Sequence, residues 1–344
     1  MSDLTLSDVS VRRLLVIRGG AVGDLIVTLP VFGALRQAFP QAWIEVLGHP
    51  QRAVLAHHAR YANHVVDLEI GSWYRLFSTE TSVPDDIADY LHTFDVIISY
   101  LATADDVFMQ NLKRYCPGLV MASSPHPPPG VHCTDHLLQR VSDWCPHGYD
   151  PCPHVYLEVD AVQHAERFWR RGNLPDRGVI AFHPGSGGER KLWPLAGWQQ
   201  VMQTMAARGW RGIVISGPTE QERDLRCLQE GGVSDWPWAS ALSLPELAAL
   251  LARCQAVLSH DSGVAHLAAA VGTTTLALFG PTDPQNWGPR HPQACVLQPC
   301  PPQALTLENL TPKAVVQTLD ALLQETFAFG ISQVPCTIVH DTVA

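Results

Sequence analysis

The 344-residue sequence has few charged residues, and basic residues are the scarcer kind. Charged side chains make up 16% of the chain, with 23 Lys and Arg against 33 Asp and Glu, which gives a formal net charge of −10. This low charged fraction, beside 46% hydrophobic residues, argues against a disordered or coiled-coil chain. The acidic balance argues against a general nucleic-acid-binding protein, although a local cluster or helix N-terminus could still bind an anion.

A long apolar run and a secretory signal are also missing. The stretch that comes nearest to a membrane span, residues 257–279, is interrupted by His260, Asp261 and His266, whereas a span needs roughly 18 apolar residues. The first residues, MSDLTLSDVSVRRLL, lack the basic-then-apolar order of a signal peptide. We therefore expect a cytoplasmic protein, which a local basic patch could still bring to the inner membrane as a peripheral protein.

The chain has nine cysteines, and three of them, in a segment that also contains histidines, lack the closely spaced pairs of a zinc site. Residues 132–154 are nevertheless rich in possible metal ligands: Cys133, Cys145, Cys152, His132, His136, His147 and His154. Eleven and then six residues separate the three cysteines. Reduced thiols in a Pro-rich connection are therefore the favoured interpretation, with a metal site as the alternative.

Strand-like and helix-like segments alternate along the whole chain, which predicts α/β architecture with doubly wound parallel sheets. The predicted strands are 11–17, 43–47, 95–101, 178–182, 212–216, 256–259 and 274–279. A segment dense in Pro and Gly at 146–153 predicts a domain boundary. We expect an N-terminal domain at 1–155, a C-terminal domain at 156–327 and an unassigned tail at 328–344. Helices are predicted at 25–39, bent or interrupted by Pro30, and at 137–144.

The first Gly-rich turn, RGGAVGD at 18–24, follows a predicted strand. It is not the dinucleotide fingerprint G-x-G-x-x-G, because Arg18 stands where the first glycine is required. Glu45 has about the spacing of a ribose-binding acid, but it lies within a predicted strand. Asp24 would begin a helix, where a carboxylate is stabilising. It would also lie at the carboxyl end of a parallel strand, a position that suits a general base.

The second turn, HPGSGGERKLWP at 183–194, joins a Gly-rich loop to two adjacent cations. Backbone N–H groups in such a loop can form an anion-binding concavity, and Lys191 could place a point charge on a phosphate. It is not a Walker A loop, because Gly-Lys-Ser/Thr is absent. The alternative is a surface turn with solvated charges.

The third turn, HDSGVAH at 260–266, lies between a predicted strand and a small-residue helix. Asp261 or Ser262 could cap that helix. The N–H groups of Ser262, Gly263 and Val264, with the positive end of the helix dipole, would then face a diphosphate. His266 lies one turn further and could reach the same ligand, or it could be a satisfied core histidine.

A fourth segment, FGPTDP at 279–284, follows the next predicted strand and could shape a nucleotide pocket. Together, IRGGAVGDLIVTLP, HPGSGGERKLWP, DSGVAHLAAA and FGPTDP resemble, in the same order, the motifs of glycosyltransferase family 9. This family comprises the ADP-heptose:lipopolysaccharide heptosyltransferases. The resemblance covers residues 11–325.

The resemblance implies the GT-B fold, in which two Rossmann-like domains face each other across a cleft. It implies inverting, metal-independent transfer of a heptose from ADP-heptose to a lipid-linked lipopolysaccharide core (Kdo/heptose) acceptor, with no cofactor besides the nucleotide sugar. Asp24 would be the general base, and Lys191 would contact the donor phosphate. The implied donor site comprises Ser186, Gly187, Lys191, Asp261, Ser262, Gly263 and His266, and the implied acceptor-side turn contains Gly20 and Gly23.

The chain departs from the family pattern at Gly20 and Ala21, where many members carry serines. Four alternatives remain open: another nucleotide sugar as donor, a protein acceptor, a nucleotide-sugar epimerase, and a catalytically inactive nucleotide-sugar-binding protein. The joint presence of Asp24, Lys191 and His266 favours an active enzyme over the inactive one.

Overall fold

A computed structural model describes residues 11–79, 82–101, 106–217, 225–229, 233–299 and 305–328. The chain divides into two compact units, Met1–Pro153 and His154–Ala344. The predicted C-terminal tail, 328–344, lies outside the described residues except for Ala328, which ends the last helix. Within the described ranges, no helix combines the length and apolarity needed to cross a membrane.

The first unit contains a five-stranded parallel sheet in the order β3-β2-β1-β4-β5. The central strand β1 is completely buried from Leu14 to Ile17, because helices cover both faces of a parallel sheet. The strands are β1 Arg13–Arg18, β2 Trp43–Gly48, β3 His64–Asp67, β4 Val96–Ser99 and β5 Leu119–Ala122. The described helices are α1 Val22–Ile26, α2 Leu29–Ala38, α3 Pro50–Ala53, α4 Asp85–His92, α5 Val107–Tyr115 and α6 Cys133–Leu138.

Two helices of this unit have different limits from those predicted. The helix expected at 25–39 is interrupted, as Pro30 predicts, and α2 begins at Leu29 with the proline in its first turn, where the missing N–H costs no hydrogen bond. The helix expected at 137–144 begins earlier, at Cys133, and Gln139–Trp144 is a 3-10 helix. The sequence therefore indicated helical structure in both places but not its limits.

The second unit contains a six-stranded parallel sheet in the order β11-β10-β9-β6-β7-β8. Its strands are β6 Val179–His183, β7 Arg211–Ser216, β8 Trp238–Ser240, β9 Ala256–His260, β10 Thr274–Leu278 and β11 Ala294–Leu297. Its described helices are α7 Val159–Arg171, α8 Leu195–Ala207, α9 Leu244–Ala252, α10 Gly263–Ala270, α11 Pro284–Trp287 and α12 Pro312–Ala328.

The prediction of two parallel-sheet α/β domains is confirmed. In each sheet the chain reverses its direction of winding beside the first strand, between β1 and β4 in one unit and between β6 and β9 in the other. Open α/β sheets bind ligands at the carboxyl ends of the strands beside such a switch point. The turn with Asp24 follows β1, while the second and third Gly-rich turns follow the neighbouring strands β6 and β9.

Candidate active site

A buried arginine holds the Asp24 carboxylate at the carboxyl end of β1. Arg18 Nη2 donates to Asp24 Oδ1 at 3.1 Å, while Arg18 Nε donates to the backbone oxygen of Asp24 and to Thr28 Oγ1. The Arg18 side chain is only 2% exposed, whereas that of Asp24 is 27% exposed. Burial lowers the pKa of Arg18 and the Asp24 carboxylate acts in the opposite direction, but a guanidinium remains charged in proteins. Asp24 is therefore fixed by a cation and partly open to solvent.

The turn itself needs glycine at position 20. Gly20 has a φ of +91°, a backbone conformation that side chains with a Cβ rarely adopt. A Cβ there would lie 2.5 Å from Asp24 Oδ2, the oxygen that accepts the Ala21 N–H at 2.7 Å. Gly23 is the second residue of α1, directly before Asp24. The predicted acceptor-side glycines thus precede the two residues that this hydrogen bond joins, Ala21 and Asp24.

Glu45 does not have the arrangement of a ribose-binding acid. It lies inside β2 and its carboxylate is almost completely buried. Arg13 Nη2 and Trp43 Nε1 donate to its Oε1, and Tyr90 Oη donates to its Oε2. Both carboxylate oxygens of Glu45 therefore accept structural hydrogen bonds. This agrees with the absence of the dinucleotide fingerprint from the first turn.

In the second unit, the second and third turns meet because β6 and β9 are neighbours in the sheet. His183 at the end of β6 is opposite Ser259 in β9, and the two side chains are hydrogen-bonded at 3.1 Å. Ser186 Oγ in the Gly-rich loop donates to the backbone oxygen of Asp261 at 3.2 Å. The two motifs that the sequence assigns to the donor phosphates therefore lie side by side within this unit.

An ion pair joins the two motifs a second time. Lys191 Nζ lies 2.6 Å from Asp261 Oδ2, with side chains 36% and 7% exposed respectively. Asp261 precedes Ser262, the residue from which α10 begins. The pair therefore holds an accessible ammonium group close to the start of that helix.

The structure corrects the predicted capping of α10. No side chain caps this helix at Ser262. Ser262 Oγ instead pairs with Ser259 Oγ at 3.0 Å and with His183 Nδ1 at 3.5 Å, while the Asp261 carboxylate pairs with Lys191. The neighbouring strand β6 supplies partners that a capping prediction from local sequence does not consider. First-turn N–H groups have no acceptor within their own helix, so those of Gly263 and Val264 can be offered to an anion.

The remaining predicted donor residues differ in exposure. His266 lies in the first turns of α10 and is 6% exposed. A Cβ at Gly187 or Gly188 would meet nothing within 4 Å, so the loop is not pressed against protein there. The structure thus places His266 within the helix and the two glycines on an open loop.

The contacts of two residues, His260 and Gln298, were not predicted from the sequence. His260, the last residue of β9, is completely buried and is hydrogen-bonded to both ends of the Gly-rich loop, at Gly185 and Trp193. Gln298 Nε2 donates to the backbone oxygens of Gly280 and Thr282, which fixes the FGPTDP segment. The signal for His260 was present, since a histidine ends each of the two central apolar strands, but its partners are distant in sequence.

Three of the cysteine and histidine residues at 132–154 have structural hydrogen bonds within the first unit. His132 Nδ1 accepts the Thr134 N–H, His136 Nε2 is bonded to the Ser124 oxygen, and Cys145 Sγ donates to the Ala34 oxygen. The described cysteines are all free thiols. Among the described residues, no group of three or more His, Cys, Asp or Glu side chains is arranged to hold a metal ion.

Comparison with known proteins identifies the family of the chain and related structures. The family model for glycosyltransferase family 9 (heptosyltransferase) matches residues 138–309, which is half of the chain. Lipopolysaccharide heptosyltransferase 3 of Escherichia coli is 25% identical over 302 residues, or 78% of this chain and 83% of that protein.

Solved structures show the same fold over nearly the whole chain. A family 9 glycosyl transferase from Veillonella parvula superposes with a TM-score of 0.78 at 19% identity, covering 91% of this chain and 98% of that one. The Escherichia coli ADP-heptose lipopolysaccharide heptosyltransferase II gives a TM-score of 0.73 at 19% identity, covering 92% and 100%. The resemblance inferred from the four motifs is confirmed, and the chain belongs to glycosyltransferase family 9, the heptosyltransferase family of glycosyltransferases.

Proposed function

We propose that this protein transfers a heptose from ADP-heptose to a sugar, Kdo or heptose, of a lipopolysaccharide core. Family membership supports a glycosyl transfer, and the names of the compared Escherichia coli proteins specify heptose, ADP-heptose and lipopolysaccharide for those proteins. We assign donor binding to the second unit and acceptor binding to the first. The observation that carries the proposal is the Lys191–Asp261 ion pair beside the first turn of α10.

The second unit would bind the donor through its diphosphate. Lys191 supplies an accessible positive charge, and the N–H groups of Gly263 and Val264 supply hydrogen-bond donors at the positive end of a helix dipole. Ser186, Gly187, Ser262 and His266 would complete the site. Charge grows on the diphosphate as its bond to the anomeric carbon breaks, so groups that are already positioned stabilise the transition state more than the ground state.

Asp24 would act as the general base on the acceptor. The acceptor hydroxyl oxygen bonds to the anomeric carbon, its proton passes to the Asp24 carboxylate, and ADP leaves from the opposite face with inversion. The pairing with Arg18 and the Ala21 N–H fixes the carboxylate while leaving it partly exposed. Gly20 and Gly23 would let the acceptor approach this turn without a side chain in the way.

We place the reaction in the cytoplasm, with peripheral contact at the inner membrane, because a lipopolysaccharide core is carried by a lipid. The nucleotide sugar and the lipid-linked oligosaccharide are the proposed partners, and nucleic acid is not among them. The net charge of −10 supports the last point, since a nucleic-acid-binding surface is basic.

The test is a transfer assay with the full chain, ADP-heptose and lipid A carrying Kdo, with and without one core heptose. The expected result is a product heavier by one heptose, with release of ADP. UDP-, GDP- and CDP-sugars serve as matched donor controls, and saturating ADP at 100 times its Kd should stabilise the protein by about 2.7 kcal/mol.

The other outcomes separate the alternatives. Transfer from a different nucleotide sugar, or to a protein acceptor, would keep the glycosyltransferase and replace the substrate. An epimerised sugar formed without acceptor would indicate an epimerase. Tight ADP binding without transfer to any acceptor would indicate a nucleotide-sugar-binding protein and would contradict the role of Asp24.

A further inference from the structure

A single buried histidine ties the Gly-rich loop of the second unit to the sheet. His260 ends β9 and is completely buried. Its Nδ1 lies 3.1 Å from the backbone oxygen of Gly185, and its Nε2 lies 2.8 Å from the backbone nitrogen of Trp193 and 3.3 Å from Trp198 Nε1. The two backbone contacts lie at opposite ends of the loop.

These partners define the protonation state of the ring. A carbonyl oxygen can only accept, so Nδ1 carries a hydrogen toward Gly185. Backbone and indole N–H groups can only donate, so Nε2 is unprotonated and accepts from Trp193 and Trp198. His260 is therefore a neutral imidazole with its hydrogen on Nδ1, and a doubly protonated ring could not accept at Nε2.

The residues between the two contacts include the proposed phosphate ligands of this loop. Ser186 follows Gly185 directly, and Lys191 lies two residues before Trp193. Gly187 and Gly188 have open surroundings, so packing does not hold the loop at these two positions, and Ser186 and Lys191 on either side of them contact Asp261. Glycine residues also give the backbone unusual freedom. The position of Lys191 therefore depends on how the loop ends are held.

His260 also joins the loop to the other half of the proposed donor site. The next residue is Asp261, whose carboxylate pairs with Lys191 at 2.6 Å and whose backbone oxygen accepts from Ser186. The ring of His260 therefore sets the loop against the same strand end that carries Asp261 and leads into α10.

We propose that His260 is a positioning residue for nucleoside diphosphate binding, which holds Lys191 at the donor phosphates by tying both ends of the Gly-rich loop to β9. The proposal rests on the proposed function of the second unit as the donor site. His260 touches no substrate in this role and acts through Lys191.

Three substitutions of His260 distinguish its contact to Gly185 from its contact to Trp193. In His260→Asn, the amide nitrogen occupies the place of Nδ1 and keeps the Gly185 contact, while the Trp193 contact is lost. In His260→Gln, the longer amide can reach the place of Nε2 and accept from Trp193. His260→Leu removes both contacts. Trp198→Phe is the matched control, because it removes the long indole hydrogen bond, keeps an aromatic ring beside Trp193 and His260, and leaves the His260 contacts to Gly185 and Trp193 in place.

The measurement is ADP binding to the full chain by calorimetry, with circular dichroism and thermal unfolding to confirm that each variant is folded. Because Lys191 is near the Trp193 end, Kd should rise in the order wild type, His260→Gln, His260→Asn, His260→Leu, reaching roughly 10- to 100-fold. Trp198→Phe should bind within about threefold of the wild type. In the transfer assay the donor KM should rise more than kcat falls, since the reacting groups are unchanged.

A double-mutant cycle with Lys191→Ala distinguishes positioning from general loosening of the fold. If His260 acts through Lys191, His260→Asn should weaken ADP binding strongly alone and little when Lys191 is already absent. Additive effects would overturn the proposal, as would a folded His260→Asn that binds ADP like the wild type. Failure of the wild type to bind any nucleotide would instead contradict the proposed function.

A further readout needs no variant. Nitrogen-15 spectra of the wild-type histidines should contain a neutral imidazole protonated at Nδ1, assigned to His260 by its couplings to the adjacent backbone. A ring protonated at Nε2 near neutral pH would overturn the proposal even if no His260 variant folds.

Discussion

Arg18 and Asp24 form an ion pair at the carboxyl end of β1, with Arg18 Nη2 3.1 Å from Asp24 Oδ1. The guanidinium is buried and also donates to the Thr28 hydroxyl and the backbone oxygens of Asp24 and Tyr100. An Arg fork that is used on several acceptors at once has little freedom to move. Arg18 therefore holds the partly exposed Asp24 carboxylate in one orientation from the buried side.

Asp24→Asn should abolish most of the turnover while ADP binding is retained. The amide keeps the shape of the side chain but cannot accept a proton, so kcat should fall by about 10²–10⁴. Asp24 and the donor motifs belong to different compact units, so the Kd for ADP should be unchanged. Steady-state kinetics and calorimetry check both points, and near wild-type kcat would remove Asp24 from the role of base.

The same substitution should also lower stability, because Arg18 then faces an amide in a buried place. Loss of a charged hydrogen bond costs about 1.5–3 kcal/mol, and the partial exposure of Asp24 favours the lower end. The activity measurement is therefore made well below the unfolding transition of the variant. Thermal unfolding of both proteins gives that temperature.

Gly20→Ala should impair turnover beyond its effect on stability. The Cβ would lie 2.5 Å from Asp24 Oδ2, so the carboxylate must move. A displacement of this kind should lower kcat by about 10- to 100-fold. The matched control is Gly148→Ala in the same unit. Gly148 also has a positive φ, +83°, but a Cβ there would meet nothing within 4 Å.

Both variants should lose about 1–2 kcal/mol of stability from the strained backbone, and only Gly20→Ala should lose activity. Equal activity loss in the two variants would show that strain, and not the position of Asp24, is responsible. Thermal unfolding and kcat measured side by side distinguish these cases.

Lys191→Ala should weaken ADP binding and reduce the stabilisation that ADP provides. Removal of a charged hydrogen-bond donor corresponds to a rise in Kd of roughly 10- to 100-fold. Lys313→Ala is the control, since Lys313 lies at the start of α12 and is assigned no part in the donor site. An ADP-induced thermal shift that stays the same in Lys191→Ala would place the phosphates elsewhere.

The sequence predicted the inner strands of both sheets but not the outer ones. The four strands missing from the prediction, β3, β5, β8 and β11, are the edge strands of the two sheets. They have only three or four residues, and three of them include exposed or half-exposed positions. A long buried apolar run identifies central parallel strands. The strands β3, β5 and β8 are not buried throughout, and β11 is buried but has only four residues.

The site could be predicted only as separate motifs. Each Gly-rich turn was placed after a strand because the apolar run and its glycines are adjacent in sequence. That the loops after β6 and β9 meet depends on strand order, and His183 and Ser259 are 76 positions apart in the sequence. Contacts such as Lys191–Asp261 and His260–Trp193 follow from this long-range pairing and not from local pattern.

Cys133 should resist thiol reagents although it is close to the proposed base. Burial raises the pKa of the Cys133 thiol to about 12, the Arg18 charge partly opposes this, and Asp24 adds to it. In the folded protein at pH 8, iodoacetamide should label the partly exposed Cys152 and Cys227 well before Cys133.

Because the folded state favours the protonated Cys133 thiol, the contribution of this thiol to stability is complete below the ordinary thiol pKa of about 8.5. That contribution is lost as the pH rises toward 12. Mass spectrometry of labelled peptides across this pH range checks the prediction. Labelling of Cys133 at the rate of Cys152 in the folded protein would show that the interior around Cys133, next to Asp24, is open to solvent.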